Sequence, residues 1–81
     1  MAARLLFLGR LRDAAGLDEL ALALDGPTPL AALLARLDPP LAEALRDPRI
    51  RLARNGELTA AAGLVIADGD ELAFLPPVSG G

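Results

Sequence analysis

The sequence predicts an α+β fold in which a mixed β-sheet carries one main helix packed on one face. The first observation is the order of segments, which is strand, strand, helix and then several strands. That order is typical of a sheet with its helices gathered on one side. The second is size and composition: 81 residues that are 53% hydrophobic are enough for one core and too few for two.

The N-terminal part alternates strand and turn signals. Residues 5–8 form a short apolar run that is typical of a buried strand. Residues 9–16 follow and can form one helical turn, with Gly16 as its stop. Residues 19–24 alternate large and small side chains, which predicts a second strand with its leucines on one face.

The predicted main helix begins at Thr28, whose hydroxyl is a good cap, and continues with Pro29 at its first position. Four leucines then recur with helical spacing and form one apolar stripe: Leu30, Leu33, Leu34 and Leu37. Residues 38–40 contain two prolines and end this helix. Residues 41–45 predict a second short helical segment that stops near residues 47–48.

A hairpin follows the helical part of the chain. Residues 50–54 alternate again and predict a strand. Asn55-Gly56 is the strongest short hairpin signal, and residues 57–59 would return as a short strand. Residues 60–63 are a weakly specified connection.

The last predicted strand is residues 71–75, which follow an apolar segment at residues 64–66 and a turn at residues 68–70. Pro76-Pro77 closes this strand, because proline cannot extend an interior hydrogen-bond ladder. For a small chain with this order of segments, the commonest arrangement is the ubiquitin-like β-grasp.

We therefore divide the chain into a β-grasp domain, residues 1–75, and a flexible C-terminal tail, residues 76–81. The two prolines stiffen the base of this tail, and Gly80 and Gly81 give it a thin tip without side chains. Such a tail can deliver its terminal carboxylate into another protein's active site. There it must be activated, for example as an acyl-adenylate, before a sulfur donor can convert it to a thiocarboxylate.

Composition excludes several classes of function. The chain has no Cys and no His, and all eight of its basic residues are Arg. The usual catalytic sets therefore cannot be assembled except from carboxylates or hydroxyls, and an independent enzyme is disfavoured. A net charge of -3 with scattered arginines disfavours nucleic acid. No apolar run reaches bilayer length, so the cytoplasm is the expected location, and we expect no bound cofactor.

Several polar residues favour structural over functional interpretations. Asp68, Asp70 and Glu71 resemble a cation loop, but calcium-loop spacing is incomplete, so a turn with solvated acids is the favoured interpretation. Arg12 is a candidate partner of an acidic group, although a solvated surface position is favoured. Ser79 has no His or Lys to activate it and is not expected to be a nucleophile.

Side-chain parity along the first and last strands predicts a docking surface. We assign Phe7 and Phe74 to the face that the helix covers. Leu8 and Leu75 then lie near the open face beside the tail, and Leu58 is a further candidate. The alternative is that the faces are reversed and these leucines are core. Four tail residues complete the predicted partner-binding set: Pro76, Pro77, Val78 and Ser79.

Residues 68–81, which read D-G-D-E-L-A-F-L-P-P-V-S-G-G, resemble the C-terminal signature of the small subunits of molybdopterin synthase. Residues 5–16 look like the first strand and turn of that family, whereas residues 25–66 match in pattern only. The resemblance implies that an adenylating enzyme activates Gly81 with ATP and that a sulfur donor protein makes the thiocarboxylate. The carrier would then insert its tail into the synthase large subunit, in a heterotetramer, and pass sulfur to a cyclic pterin phosphate.

Three alternatives remain open at this point. The chain could be another sulfur carrier, such as that for thiamine thiazole synthesis, with the same chemistry at Gly81. It could be a ubiquitin-like modifier joined through Gly81 to lysines of target proteins. It could also be an interaction module with an inert tail.

Overall fold

The computed structural model describes residues 2–77; Met1 and residues 78–81 lie outside the described part. The elements that it contains are, in chain order, β1 (Ala3–Phe7), α1 (Arg10–Ala15), β2 (Glu19–Leu22), β3 (Thr28–Pro29), α2 (Leu30–Leu34), α3 (Pro39–Leu45), β4 (Arg51–Arg54), β5 (Glu57–Thr59), β6 (Val65–Ile66) and β7 (Glu71–Leu75).

Five strands form one mixed sheet in the order β2-β1-β7-β4-β5. β1 and β7 are parallel neighbours at its centre, and every other pair in this sheet is antiparallel. A parallel pair needs a crossover connection, and here the whole chain between β1 and β7 provides it. The two short strands β3 and β6 pair separately in an antiparallel sheet.

One face of the main sheet forms the core with the helices. Phe7 of β1 and Phe74 of β7 are 3% and 0% exposed, as side-chain parity predicted. Their rings stack with centroids 5.7 Å apart and an interplanar angle of 11°. Other strand residues on this face are also buried: Ala3, Leu5, Leu52 and Leu72. The helical layer covers them with its own leucines: Leu11, Leu33, Leu34, Leu41 and Leu45. Aliphatic burial on this scale is the main stabilising term of the fold.

The predicted helical stripe over residues 30–37 is only partly helical. α2 ends at Leu34, and the Leu37 N–H then donates to the Leu34 carbonyl at 3.0 Å, which is a tighter turn than the α-helix. Helical turns stop altogether before Pro39, which holds the preceding Asp38 in an extended conformation with ψ 137°. Leu37 is nevertheless 8% exposed and belongs to the core.

The prediction that Thr28 caps the main helix was wrong. The residue that caps α2 is Pro29, and no side chain makes a capping hydrogen bond there. Thr28 instead pairs with Ile66 as part of β3, and its hydroxyl donates to the Gly26 carbonyl at 2.9 Å. A local sequence pattern cannot reveal this long-range strand pairing, which replaces the cap.

Strand ends also differ from those predicted. β2 stops at Leu22 rather than at Leu24. Leu24 leaves the strand but is buried, and its N–H donates to the Asp68 carboxylate at 3.2 Å. β1 ends at Phe7, so Leu8 lies just beyond it.

The predicted turns are present. Asn55 and Gly56 join β4 to β5 with φ values of 52° and 87°, as a tight hairpin turn requires. Gly16 ends α1 in the left-handed conformation, and its N–H donates to the Arg12 carbonyl at 2.9 Å. Across residues 2–77, no helix has the length and apolar character needed to cross a membrane.

Candidate functional site

The base of the predicted tail lies where the central strand β7 ends. Because β1 and β7 are parallel neighbours, the carboxyl ends of both strands lie at the same end of the main sheet. The Leu8 N–H donates to the Phe74 carbonyl at 3.2 Å, which extends their pairing past the end of β1. The chain then leaves β7 through Pro76 and Pro77, which are half-buried. Four predicted site residues lie outside the described part of the chain: Val78, Ser79, Gly80 and Gly81.

The second face of the sheet carries an apolar surface that we call the open-face patch. Its members are Leu6, Leu8, Ala53, Leu58, Ala73 and Leu75. The strand register places Leu6 opposite Ala73, Ala73 opposite Ala53, and Ala53 opposite Leu58. These four therefore form one continuous row across four strands.

The open-face patch is not covered by the helices. Leu58 is 64% exposed and Leu8 is 43% exposed, while the other four members are half-buried. Single exposed leucines are ordinary on a protein surface, but a contiguous apolar row is characteristic of interaction sites. The structure thus brings Leu8, Leu58 and Leu75 onto one face of the main sheet.

Charged residues bound the patch at both of its ends. At the end far from the tail, Arg4 hydrogen-bonds Glu71, and its guanidinium lies 3.7 Å from the Glu19 carboxylate. Near the tail, the exposed Arg51 stands opposite Leu75 in the register of β4 and β7. An apolar centre with a charged rim is the composition of a protein–protein interface.

Asp70 of the turn before β7 holds three parts of the chain together. Its carboxylate accepts hydrogen bonds from the Ala67 N–H at 2.9 Å, the Asn55 side-chain amide at 3.1 Å and the Arg54 guanidinium at 3.2 Å. These donors favour the charged form and lower the pKa of Asp70, the Ala67 N–H most strongly and then the Asn55 amide.

The interpretation of this turn as a set of solvated acids holds for the exposed Asp68, but it leaves out the hydrogen bonds that these carboxylates accept within the chain. Asp68 accepts the Leu24 N–H, Glu71 bonds Arg4, and Asp70 makes the three bonds given above. All three carboxylates therefore have protein partners. In the part of the chain that the structure describes, no group of three or more potential ligands could hold a metal ion.

Arg12 makes an ion pair within the chain. Its guanidinium lies 3.3 Å from the Asp18 carboxylate, and both side chains are more than half exposed. Solvent screens such a pair, so it contributes little to stability. This placement agrees with the surface interpretation of Arg12.

Sequence reasoning left three members of the open-face patch out of the site. Leu6 and Ala73 share the parity of Leu8 and Leu75, so the alternation of side chains was the signal that would have added them. Ala53 becomes a neighbour only through the register of β4 with β7, which local sequence does not give. The described side chains thus form a continuous apolar row on the sheet face that the helices leave uncovered.

A mixed five-stranded sheet with a parallel central pair and a helical layer on one face defines a ubiquitin-like β-grasp protein. The comparisons with known proteins agree with this class. The sequence model of the ThiS family matches residues 5–81, and the chain belongs to that family.

Relatives and solved structures confirm the resemblance to molybdopterin synthase small subunits. The molybdopterin synthase sulfur carrier subunit of Escherichia coli is 36% identical over 96% of this chain and 98% of its own length. SAMP1 of Haloferax volcanii superimposes with a TM-score of 0.77 and 33% identity, covering 100% of both chains. A chain from the complex of subunits 1 and 2 of the molybdopterin-converting factor of Helicobacter pylori gives a TM-score of 0.67 at 25% identity, again over 100% of both chains.

Proposed function

We propose that this chain is a sulfur carrier of molybdenum cofactor biosynthesis and that Gly81 carries the sulfur as a thiocarboxylate. The observation that supports the proposal best is the 36% identity to the Escherichia coli sulfur carrier subunit over nearly the whole of both chains. The match to the ThiS family extends through Gly81 itself.

The proposed chemistry takes place at Gly81 and in partner proteins. An adenylating enzyme transfers AMP from ATP to the Gly81 carboxylate and releases pyrophosphate. A sulfur donor protein then supplies sulfur at the level of sulfide, which attacks the acyl carbon and displaces AMP. Because this chain has no Lys and no Cys, its activated end meets none of its own usual side-chain nucleophiles. ATP belongs to the partner, and the carrier needs no bound cofactor.

The open-face patch is the proposed docking surface for the synthase large subunit. The Helicobacter pylori match, which comes from a complex of two subunits, supports a partner of this kind. In the proposed heterotetramer, Leu8, Leu58 and Leu75 contact the large subunit. Residues 76–81 enter its active site and pass sulfur to a cyclic pterin precursor. The assembly works in the cytoplasm.

A reconstituted transfer assay tests this function. Carrier prepared as the thiocarboxylate is mixed with the large subunit and the cyclic pterin phosphate precursor. We expect molybdopterin to form while the mass of the carrier returns to that of the carboxylate. Carrier left as the carboxylate is the matched control and should give no product. A thiocarboxylate carrier that transfers no sulfur to the pterin would contradict a role in molybdopterin synthesis. It would favour another sulfur acceptor, such as the thiazole precursor of thiamine.

A second candidate function is protein modification through Gly81. Two structural matches favour it: SAMP1 of Haloferax volcanii and small archaeal modifier protein 1 of the same organism. The second of these names describes a protein modifier. The absence of Lys from this chain means that it offers no ε-amine for attaching further copies to itself. If the chain is a modifier, tagged chain isolated from cells under denaturing conditions would be found joined through Gly81 to lysines of other proteins, one copy at each lysine. The sulfur-carrier proposal predicts no conjugates that depend on Gly81.

A further inference from the structure

Gly9 lies where β1 leaves the sheet, directly beside the base of the tail. Its backbone has φ 55° and ψ -135°, a region that residues with a side chain rarely adopt. Sequence reasoning treated Gly9 only as part of a helical turn. Its conformation alone would explain a glycine, but its surroundings add a second reason.

A side chain on Gly9 would collide with Pro76. A Cβ built on Gly9 would lie 2.9 Å from the Pro76 Cγ and 3.7 Å from its Cδ. Both atoms belong to a ring that is closed on the backbone nitrogen, so they cannot rotate away as the end of a flexible side chain can. Pro76 therefore rests in its observed position only because residue 9 has no Cβ.

Gly9 itself is held from both sides. The preceding Leu8 donates its N–H to the Phe74 carbonyl at 3.2 Å, and the Gly9 carbonyl accepts the Arg12 N–H at 3.1 Å. Leu11, two residues further on, is 5% exposed and anchors α1 in the core. Pro76, by contrast, follows the last residue of β7 and lies outside the strand. An added side chain would displace Pro76 rather than Gly9.

We propose that Gly9 is a positioning residue that sets, through its contact with the Pro76 ring, the direction in which the tail leaves the domain. The proposal rests on the proposed function, in which Gly81 must reach the active sites of partner enzymes. Gly81 is five residues beyond Pro76 in the chain, so the position of Pro76 sets where the segment that carries the reacting carboxylate begins. Small misplacements of a reacting group cost large factors in rate.

The test is the steady-state kinetics of thiocarboxylate formation by the adenylating enzyme, with the carrier as the varied substrate. Gly9→Ala changes no residue of the open-face patch and is expected to misdirect the tail. We therefore expect kcat to fall by about tenfold or more, while KM for the carrier changes by less than about threefold. A merely structural role would instead change the folded fraction and leave kcat per folded molecule unchanged.

Gly16→Ala is the matched control. Gly16 also has a positive φ of 78°, but a Cβ there meets no atom within 4 Å. The same substitution thus adds backbone strain without touching Pro76. We expect this variant to retain the kcat of the original chain.

A double-mutant cycle with Pro76→Ala separates the contact from strain at Gly9. Removing the ring relieves the collision, whereas the strain on residue 9 is the same in both backgrounds. Pro76→Ala alone should lower kcat, and adding Gly9→Ala should lower it little further. Wild-type kcat in either single variant, or an equal effect of Gly9→Ala in both backgrounds, would overturn the proposal. If Gly9→Ala does not fold, Pro76→Ala still decides: a fall in kcat at unchanged KM supports the positioning role, whereas a raised KM at unchanged kcat indicates only a lost partner contact and would overturn it.

A measurement on the isolated protein distinguishes failure of this inference from failure of the proposed function. Residual dipolar couplings of the Cα–Hα bonds of Pro76 and Pro77 report the orientation of the tail base relative to the sheet. They should change in Gly9→Ala and not in Gly16→Ala, whether or not any enzyme loads sulfur on Gly81. Unchanged couplings in Gly9→Ala would contradict the positioning role even if loading proceeds normally.

Discussion

Asp70 shows how a single carboxylate fixes the start of the strand that carries the tail. It receives hydrogen bonds from its own turn, through the Ala67 N–H, and from the β4–β5 hairpin, through Asn55 and Arg54. Asn55 completes the link by accepting the Glu71 N–H at 2.9 Å. The hairpin and the first residue of β7 are therefore held together by side chains as well as by the sheet.

Asp70→Asn should destabilise the fold at neutral pH by about 1–2 kcal/mol, because hydrogen bonds to a charged acceptor are stronger than those to an amide. The pKa of Asp70 is lowered in the folded state, so its contribution is fully present above about pH 4, near its unfolded pKa, and is lost as the pH falls through the lower folded value. The difference between the variant and the original chain should thus shrink on acidification.

Urea unfolding midpoints of both proteins, measured from neutral pH to about pH 3, check this expectation. Asp25→Asn is the control, since Asp25 is exposed in the loop after β2. It should change the midpoint little at any pH. A difference for Asp70→Asn that stays constant with pH would contradict the role of its charge.

Prediction from sequence at the residue scale succeeded where a position depends on its immediate neighbours. Side-chain parity placed Phe7 and Phe74 in the core, and Asn55-Gly56 identified the hairpin. It failed where a residue's partner is distant in the chain. Thr28 pairs with Ile66, and Gly9 lies against Pro76. The residues next to Thr28 and Gly9 in the sequence do not indicate either contact.

At the scale of elements, the edge strand β5 presents the most exposed large apolar residue found in the described part of the chain. Leu58 is 64% exposed, yet the register places it at the end of the row that runs through Ala53 and Ala73 to Leu6. The Leu58 side chain therefore contributes little to the core, and its exposure on this row fits a role in docking.

Leu58→Ala should weaken binding to the synthase large subunit by roughly tenfold, as truncation of a buried interface leucine costs about 1–2 kcal/mol. Stability should change by less than about 0.5 kcal/mol, because the side chain is exposed in the free protein. Calorimetric titration of the large subunit with the variant measures the affinity.

Leu17→Ala is the control for this comparison. Leu17 is also exposed, at 39%, but lies between α1 and β2 and outside the open-face patch. Its truncation should leave the affinity unchanged. Equal losses for Leu58→Ala and Leu17→Ala would show that the patch is not the docking surface.

Element boundaries were predicted less well than element types, for physical reasons. The leucine stripe indicated a helix through residue 37, but Pro39 forces Asp38 out of the helical region and α2 ends at Leu34. Alternation indicated β2 up to Leu24, where the Asp68 carboxylate takes the N–H that a ladder would have used. The first limit is a steric restriction from proline, and the second is a hydrogen bond to a side chain distant in the chain.

At the scale of the whole molecule, the proposed function assigns docking to residues 1–75 and chemistry to the predicted tail, residues 76–81. The domain supplies a core, an open-face patch and a defined base for the tail at Pro76. Without Cys, His or Lys, its side chains are poorly suited to catalysis. In the proposed function, chemistry is therefore confined to Gly81 and to the active sites of partner proteins.

Sulfur loading at Gly81 can be measured from the intact mass of the chain after incubation with its adenylating enzyme, ATP and a sulfur source. We expect a gain equal to one sulfur replacing one oxygen, and no gain for a chain from which Gly81 has been deleted. The adenylating enzyme must be shown to be active on another carrier in the same mixture. An unchanged mass under those conditions would contradict the sulfur-carrier function.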